Sequence, residues 1–366
     1  MESVLLPKNF PVFSPLIVPC SEVAPEGGLL SVEGRAWPVL DGIAAQWAEC
    51  YALDHPHLRQ DPFRLRKEAQ AYGIERAQET AGNWVLYPWL NLALRVLPET
   101  EFIRVRTSRN RLKISSEEAA QLHTKTIGII GLSVGQSVAL TLAMERTFGT
   151  LRISDHDTLD LSNLNRVRAG LQNLGLPKTA VAARLIAELD PYLKVELYPE
   201  GIDVKNVRKF VQGLDLLIEE CDALDIKLLS RMEARENEIP VLMDTSDRGM
   251  LDVERFDLEP DRPLFHGLAG PHPESIGLTS MDPEHRLGLM MRIVDYPNLS
   301  PSLRLSYEKI GTELLTWPQL ASDVQSGAGH TAAVARNILL GHPVPSGRYY
   351  IEMDPQRVLH HQIQAL

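Results

Sequence analysis

The stretch TIGIIGLSVGQS, residues Thr126–Ser137, decides the fold class of this protein. Its first half is a short β-rich run that ends at Gly131, and its second half begins a segment with small and apolar residues at helical spacing. A strand, a glycine turn and a helix in this order offer free N–H groups and the positive end of the helix dipole to a phosphate. The stretch indicates a nucleotide site, but it lacks the middle glycine of G-x-G-x-x-G, and a tight turn that needs only small residues explains the glycines equally well.

Strands and helices alternate along the chain from this stretch onward. Further strands are predicted at residues 149–154, 195–197, 214–219 and 240–244, with helices near residues 178–189, 204–212 and 224–237. Such alternation is typical of a doubly wound, mainly parallel sheet. The predicted fold class is therefore α/β and Rossmann-like, with a small, mostly helical accessory region at the N-terminus.

The region before residue 100 has a different sequence pattern. Residues 1 to about 35 are rich in Pro and Gly and predict irregular or extended structure, whereas residues 39–80 show helical spacing and predict two helices. The aromatic cluster Trp84–Trp89 predicts a packing anchor. We therefore expect an accessory region at residues 1–100 and a nucleotide-binding domain at residues 101–366.

Charge and cysteine content exclude several classes of protein. The 366 residues carry a formal net charge of −11, because 37 Lys and Arg face 48 Asp and Glu. This balance argues against a general binder of nucleic acid or anionic membranes, and no apolar run approaches the roughly 18 residues that cross a bilayer. Three cysteines without a C-x-x-C pair support neither a disulfide framework nor a four-thiolate zinc site. The cytoplasm is the expected location.

An acid and two cations follow the glycine turn. Asp155 ends the next predicted strand, 155 − 131 = 24 residues after Gly131, near the separation at which a carboxylate accepts hydrogen bonds from a ribose. This pair indicates an adenosine ligand without separating NAD from ATP. Arg166 and Lys178 come next and favour ATP, because its roughly four negative charges need more cations than the diphosphate of NAD.

Two motifs around these cations carry a resemblance to a known family. The stretch DHDTLDLSNLNR, Asp155–Arg166, followed by Gly175-Leu-Pro-Lys178, resembles the hallmark D-x-D-x-[VL]-x-x-S-N-L-x-R and G-x-x-K of the E1-like (ThiF-type) adenylyltransferases. That family includes activators of sulfur carriers, ubiquitin-type E1 domains and peptide-adenylating enzymes. The resemblance spans roughly residue 105 to the end, where Ser326–Gly341 is similar to the family's late helix and Tyr349–Asp354 to its closing strand.

The resemblance implies roles for individual residues. Asp155 matches the family's ribose-binding acid, Arg166 matches a phosphate-contacting arginine, and Lys178 matches the lysine that reaches the triphosphate. The complete set of implied nucleotide-binding residues is Gly131, Ser133, Gly135, Asp155, Asp157, Asn163, Arg166 and Lys178.

Two further positions complete the implied catalytic set. The run Asp215–Asp225 is similar to the family's D-x-x-x-D-C-T-D-N segment and places Asp222 at the aspartate linked to magnesium. A carboxylate that faces a triphosphate is explained by a divalent cation between them. Ser108–Arg111 is similar to an R-Y-N-R stretch whose last arginine crosses to the ATP of the partner subunit, so Arg111 implies a homodimer. The implied catalytic residues are Arg166, Lys178, Asp222 and Arg111, and the implied cofactors are ATP and Mg²⁺.

The sequence departs from the family pattern in three ways. Ser133 and Val134 stand in a shortened glycine loop, no cysteine follows Cys221 to form a thioester, and the structural C-x-x-C pairs of many relatives are absent. In addition, Thr245–Asp257 resembles a bacterial subgroup that is often fused to a nitroreductase-like flavin domain. This chain is then expected to be a standalone form or a fragment.

These features predict an ATP- and Mg²⁺-dependent adenylyltransferase. Its substrate is expected to be a carboxylate on a peptide, a small carrier protein or a small acid, with release of pyrophosphate and without a thioester cysteine. Residues 247–300 are the expected substrate-covering region. An NAD(P)- or flavin-linked oxidoreductase and a non-catalytic nucleotide-binding partner subunit are the alternatives, and no nucleic-acid or membrane partner is expected.

Overall fold

The computed structural model describes Lys8, residues 10–270 and residues 282–351. Contacts within the chain divide it into two compact units. The N-terminal unit comprises the described residues up to Ala120 together with Ala183–Leu193. The second unit comprises Gln121–Ala182 and the described residues from Lys194 onward.

The N-terminal unit contains a five-stranded sheet that the sequence analysis did not predict. Its strands are β1 (Leu16–Pro19), β2 (Leu29–Val32), β3 (Arg35–Asp41), β4 (Asn83–Tyr87) and β5 (Leu92–Val96). The strand order is β1-β4-β5-β3-β2, in which β3 and β5 are parallel and the other neighbours are antiparallel.

The prediction of extended or irregular structure before residue 35 assigned no strands there, and the reason is physical. Strands β1 and β2 have four residues each, which is too short for an alternation of apolar and polar side chains to be recognised. Strand β4 is buried on both faces, so its sequence is an unbroken apolar run and shows no alternation either.

The helices of the N-terminal unit agree better with the sequence pattern. They are α1 (Ile43–Asp54), α2 (Pro62–Ala77), α3 (Glu99–Arg106) and α4 (Ser116–His123), the last of which continues into the second unit. The first two are the predicted pair. Helix α2 begins where Asp61 accepts a hydrogen bond from the N–H of Arg64 and Pro62 occupies the first turn, which are the usual signals of a helix start.

The second unit is built on a seven-stranded sheet. Its strands are β6 (Thr126–Ile130), β7 (Thr150–Ser154), β8 (Lys194–Tyr198), β9 (Leu216–Glu219), β10 (Val241–Asp244), β11 (Met250–Glu254) and β12 (Gly347–Tyr350). The order is β12-β11-β10-β9-β6-β7-β8. Strands β10, β9, β6, β7 and β8 are parallel, and β11 and β12 are added antiparallel at one edge.

The helices of the second unit follow the predicted alternation. They are α5 (Gly135–Glu145), α6 (Lys178–Leu189), α7 (Val207–Val211), α8 (Leu224–Glu236), α9 (Pro283–Ile293), α10 (Pro301–Lys309) and α11 (Ala321–Leu339). The residues of α6 from Ala183 onward belong to the N-terminal unit. Each helix between the parallel strands lies within a few residues of its predicted position. The predicted Rossmann-like α/β fold with a mainly parallel sheet is therefore confirmed.

The order of the parallel strands reverses at β6. From β6 the chain moves outward through β7 and β8, and it then returns to place β9 and β10 on the other side of β6. A crevice forms at such a reversal, beside the carboxyl ends of the two central strands, and ligands of open α/β sheets bind there. The turn after β6 and the residues after β9 therefore occupy the place where a site is expected.

Apolar burial explains why β6 is central. Ile127 and Ile129 of β6 have no exposed surface, and neither do Leu151 and Ile153 of β7 or Leu217 of β9. Strands that are covered on both faces carry continuous apolar runs, as this stretch does.

Two predicted features extend beyond the described residues. Strand β12 ends at Tyr350, and the last residues of the predicted closing strand Tyr349–Asp354 lie outside the described part of the chain, as do residues 271–281 of the predicted substrate-covering region. Within the described residues, no helix has both the length and the apolar character needed to cross a membrane. The division into residues 1–100 and 101–366 stays a prediction.

Candidate functional site

A glycine turn joins β6 to α5 at the crevice. Gly131 has a φ of +89°, and a Cβ atom there would lie 2.7 Å from the carbonyl oxygen of Glu220, just after β9. Glycine alone satisfies both constraints without strain. Helix α5 begins at Gly135, and no side chain caps it at Val134. The N–H of Ser137 donates to the carbonyl oxygen of Val134 at 2.9 Å, and the N–H groups that precede it at the helix start are left for water or a ligand. Ser133 is half-buried in the same turn.

Asp155 follows β7 directly and is tied to the glycine turn. Its carboxylate accepts a hydrogen bond from the N–H of Leu132 (N to Oδ2, 2.7 Å) and another from the N–H of Asp157 (N to Oδ1, 2.8 Å). The side chain is buried, at 9% exposure. The backbone thus holds the predicted ribose-binding acid against the turn.

Lys178 lies beside this acid at the start of α6. Its Nζ is 2.7 Å from Oδ2 of Asp157 and 3.8 Å from Oδ2 of Asp155, and the residue is only 5% exposed. Burial acts to raise the pKa of Asp157, but the hydrogen bond and charge of Lys178 outweigh burial and hold that pKa below its ordinary value. The ammonium group is therefore fixed next to the glycine turn.

Asn163 shapes the loop that leads to the predicted arginine. The short 3-10 turn Leu161–Asn165 is closed by a capping box, in which Oδ1 of Asn163 accepts from the N–H of Asp160 at 3.0 Å. Asn163 is 9% exposed. Its observed contact is with the protein backbone, so in this structure Asn163 positions the loop.

Arg166 follows this turn and keeps unused hydrogen-bonding capacity. Its Nη1 donates to Oδ1 of Asn165 at 2.8 Å and to the carbonyl oxygen of Ser162 at 3.4 Å. Its Nε is buried and has no hydrogen-bond partner. Burial lowers the pKa of the guanidinium, and the charge of Asp222 partly opposes that shift. A buried N–H group without a partner is typical of a group that awaits an anionic ligand.

Asp222 lies just after β9, on the opposite side of the crevice from Asp155 in strand order. Burial raises the pKa of its carboxyl, and the charge of Glu219 adds to the shift, whereas the positive charges of Lys227 and Arg166 oppose it. Within the described residues the carboxylate accepts no hydrogen bond. Magnesium is held by one or two carboxylates together with substrate phosphates, so a carboxylate that no described residue engages by a hydrogen bond fits the predicted magnesium ligand.

A second group of donors could also hold a metal. Ligand atoms of Asp155, His156 and Asp157 lie within 4.8 Å of one another. However, Asp155 already accepts two backbone N–H groups and Asp157 is paired with Lys178. A metal there would have to displace the ammonium, so Asp222 fits a divalent cation better.

A cavity of about 250 Å³ opens beside Asp222, at the carboxyl ends of β9 and β10. Asp244, the last residue of β10, lines it and is 5% exposed. Its Oδ1 accepts the N–H of Ser246 at 3.0 Å, and burial raises its pKa to about 6. Oε1 of Glu220 accepts the N–H of Asp244 at 3.0 Å, and burial followed by the charge of Asp244 raises the pKa of Glu220 well above its ordinary value.

The motifs of the sequence did not indicate these two acids. The position of Asp244 could have indicated a site residue. It is a carboxylate at the carboxyl end of a predicted parallel strand, and such strand ends converge on the crevice. No feature of the sequence distinguishes Glu220 from Glu219. The two side chains are identical, and only their environments in the folded protein differ.

A buried ionic network joins α8 to Glu219, the last residue of β9. Lys227 and Arg231, one turn apart on α8, both contact Oε2 of Glu219, at 3.1 and 2.6 Å. Arg231 also donates to Glu254 at 2.6 Å. Burial acts to raise the pKa of Glu219, but the two cations hold it below its ordinary value. Ionised Glu219 accepts the N–H of Cys221 at 2.8 Å and so orients the segment that carries Asp222.

Cys221 has the properties of an unreactive thiol. It is half-buried, and burial together with the charge of Glu219 raises its pKa well above the ordinary value. A thiol that stays protonated is a poor nucleophile.

The second unit thus brings together most of the predicted site residues. The glycine turn, Asp155, Asp157 and Lys178 are in direct contact, and Arg166 and Asp222 lie close enough for their charges to interact. Arg111 belongs to the N-terminal unit, where it is exposed and follows the short turn Ser108–Asn110.

The fold and this site define a nucleotide-binding protein of the Rossmann-like type. The ThiF family pattern matches residues 107–291, about half of the chain, and the chain belongs to the ThiF family. The family resemblance inferred from the motifs is confirmed.

Three relatives illustrate this membership. The chain is 43% identical to the uncharacterized protein MT1398 of Mycobacterium tuberculosis (strain CDC 1551 / Oshkosh) over 310 residues, which cover 81% of this chain and 43% of that protein. It is 31% identical to the adenylyltransferase and sulfurtransferase UBA4 of Lodderomyces elongisporus over 110 residues, 30% of this chain and 24% of UBA4. The third is the tRNA threonylcarbamoyladenosine dehydratase of Escherichia coli (strain K12), at 29% identity over 147 residues, 38% of this chain and 53% of the enzyme.

A solved structure of the Escherichia coli dehydratase contains ATP. It aligns with a TM-score of 0.48 and 18% identity over 67% of this chain and 97% of that chain. In the sequence comparisons, the chain spans about half or less of the length of the three relatives.

Proposed function

We propose that this protein catalyses ATP-dependent adenylylation of a carboxylate. The observation that carries the proposal is the half-buried side chain of Arg166 at the crevice. Its Nε is buried without a hydrogen-bond partner among the described residues, and its charge interacts with that of Asp222. Membership of the ThiF family supports it, as does the adenylyltransferase name of the UBA4 relative. Asp155 and the glycine turn would hold the adenosine end, and Arg166 and Lys178 the phosphates.

The proposed reaction needs no covalent enzyme intermediate. An oxygen of the substrate carboxylate attacks the α-phosphorus of ATP, the bond from that phosphorus to the bridging oxygen breaks, and pyrophosphate leaves with the bond's electron pair. Arg166 would donate its free Nε–H to the phosphates, and Lys178 would add a fixed positive charge. These are contributions of position and electrostatics, which dominate phosphoryl and nucleotidyl transfer.

Asp222 would hold Mg²⁺, which when bound supplies charge neutralisation at the phosphates. The role of this chain's own residues is to fix that carboxylate. Glu219 does so through the N–H of Cys221, and the pair of cations on α8 keeps Glu219 ionised. The raised pKa of Cys221 supports a reaction without a thioester cysteine.

We further propose the domain organisation and assembly that accompany this activity. Residues 1–100 would be an accessory region and residues 101–366 the adenylyltransferase domain. Arg111 would reach the ATP of a second copy in a homodimer, an arrangement supported by its exposure. If light scattering detects only a monomer, Arg111 cannot reach the ATP of a second copy and is not a residue of the site. The proposed substrate is a carboxylate on a peptide, a carrier protein or a small acid.

Exchange of labelled pyrophosphate into ATP, measured with a panel of carboxylic acids, tests the activity. Arg166→Ala is expected to reduce exchange by roughly 10²- to 10³-fold, as for other preorganised electrostatic contacts, and Lys178→Ala should do the same. Lys205→Ala, a charge removed from the exposed loop before α7, is the matched control and should exchange normally. Thermal melting checks folding, because removal of Lys178 leaves Asp155 and Asp157 without their cation.

Two results would contradict the proposal. Normal exchange by Arg166→Ala shows that the proposed site does not perform the reaction. Calorimetric titrations that show binding of NAD but no binding of ATP would assign the crevice to a dinucleotide.

A further inference from the structure

The cavity beside Asp222 is lined by an unusual combination of side chains. Five carboxyl groups line it, from Glu220, Asp222, Asp244, Asp247 and Asp323. Among the described residues that line it, the one cationic side chain is Lys227, and its ammonium is already engaged by Glu219 at 3.1 Å. The cavity therefore offers several carboxyl groups and, among its described lining residues, no uncommitted positive charge.

One carboxyl oxygen among these acids has no hydrogen-bond partner in the described part of the chain. Glu220 is 9% exposed, and its Oε2 makes no hydrogen bond, although its Oε1 accepts the N–H of Asp244. An acceptor that is buried without a partner costs free energy unless a ligand or an ordered water satisfies it. This observation is independent of the number of acids and points to a polar ligand group that enters the cavity.

Two aromatic residues also line the cavity. The rings of Tyr307 and Trp317 both border the cavity, with centroids 5.5 Å apart and planes tilted by 54°. Aromatic faces attract cations through their quadrupole, and carboxylates attract them by charge. Proteins bind ammonium groups where the two occur together. Apolar side chains, among them Met290 and Leu303, complete the wall and suit an alkyl stem.

We propose that this cavity binds an organic cation, an ammonium or guanidinium group on an apolar stem. Resting on the proposed function, we further infer that the cation belongs to the acid that is adenylylated. Asp222 lines the cavity and its charge also acts on Arg166, so we expect a stem that starts in the cavity to lead its carboxylate toward the phosphates. The substrate class is a basic acid, such as an amino acid or peptide terminus with a charged side chain or amine.

Binding of a simple cation tests the cavity without any reaction. Butylammonium and butanol have the same stem and similar size, and they differ in charge. Calorimetry without ATP should show butylammonium binding at least 10-fold more tightly than butanol. Asp323→Asn, at an exposed position of the lining, and Asp244→Asn should each weaken butylammonium binding by roughly 5- to 10-fold.

A matched control distinguishes the loss of a carboxylate that lines the cavity from the loss of a negative charge elsewhere on the surface. Asp261→Asn removes an exposed acid that does not line the cavity, and it should leave butylammonium affinity unchanged. ATP affinity should be unchanged in the Asp323→Asn and Asp244→Asn variants. Equal binding of butanol and butylammonium, or equal loss of affinity in Asp261→Asn, overturns the cation site.

A second pair of compounds links the cavity to the reaction. Pyrophosphate exchange with 6-aminohexanoate should exceed exchange with hexanoate at least 10-fold in kcat/KM, and Asp323→Asn should reduce that ratio. Efficient exchange with hexanoate and no preference for the amine supports the proposed function and overturns the basic substrate. Butylammonium binding without exchange for any acid supports the cavity and counts against adenylylation.

Discussion

Replacement of Asp244 by asparagine should make the protein more stable at neutral pH and leave its stability nearly unchanged in acid. Asp244 is 5% exposed, and burial raises the pKa of its carboxyl from 3.8 to about 6. Between these two pKa values the folded state binds more protons than the unfolded state. The free energy of unfolding of the wild type therefore falls as pH rises through this window.

The size of the effect follows from the shift in pKa. A shift of roughly two units corresponds to a cost of about 3 kcal/mol at pH values above both pKa values, because one unit is worth about 1.4 kcal/mol. The cost is absent below the unfolded value of 3.8. Asparagine stays neutral at every pH and keeps Oδ1, which accepts the N–H of Ser246, so the variant avoids the cost.

Urea denaturation followed by circular dichroism measures this difference. The gain in unfolding free energy for Asp244→Asn over wild type should be roughly 2 kcal/mol larger at about pH 7.5 than at about pH 4.5. Comparison across pH cancels any pH-independent contact that the amide gains or loses. The exposed Asp261→Asn serves as the control for loss of one negative charge.

A gain that does not change with pH, or a wild type that becomes relatively more stable as pH rises, would refute the reasoning. The prediction also bears on the cation proposed for the cavity. An ionised carboxylate that costs stability in the empty protein recovers that cost when a cation binds, so Asp244→Asn should be the more stable and the weaker binder.

Two further substitutions test the packing around the site. Gly327→Ala on α11 should destabilise the protein by about 1–3 kcal/mol, because the added Cβ would lie 1.9 Å from Oδ2 of Asp244. The control is Gly329→Ala on the same helix, where an added Cβ meets nothing within 4 Å, so this variant should be neutral or stabilising by up to about 1 kcal/mol. Equal changes in unfolding free energy for the two variants, measured by urea denaturation, would contradict the close approach at Gly327. Arg231→Met should lower the unfolding free energy by about 3–5 kcal/mol, since it leaves two buried carboxylates without their shared cation. Arg208→Met, at a surface arginine with a side chain 75% exposed, should change it by under about 0.5 kcal/mol, and a loss from Arg231→Met no larger than that would count against the network.

Sequence analysis predicted the parts of the site that are close together along the chain. The glycine turn follows its strand directly, Asp155 and Asp157 follow the next strand, and Lys178 begins the next helix. Local rules for turns, strand ends and helix starts place such residues. The two motifs around Arg166 and Lys178 also led to the ThiF family, which the family match confirms.

The N-terminal sheet shows where local rules fail. Strands β3 and β5 pair in parallel, although helices α1 and α2 separate them in the chain. Pairing over such distances depends on which surfaces meet after the chain folds, and short strands carry little pattern of their own. The helices between them, which have periodic sequences, were predicted.

The amino-acid sequence by itself determined the Rossmann-like class and the local course of the nucleotide loop, because periodic burial and glycine geometry act over a few residues. Only the tertiary structure decided which acids are charged and which are open to a ligand. Glu219 and Glu220 are adjacent and chemically identical, yet one is ionised between two cations of α8 and the other is buried with an unpartnered oxygen beside a cavity. Their difference arises from neighbours that folding brings from distant parts of the chain, and burial and charge at that range decide a side chain's chemistry.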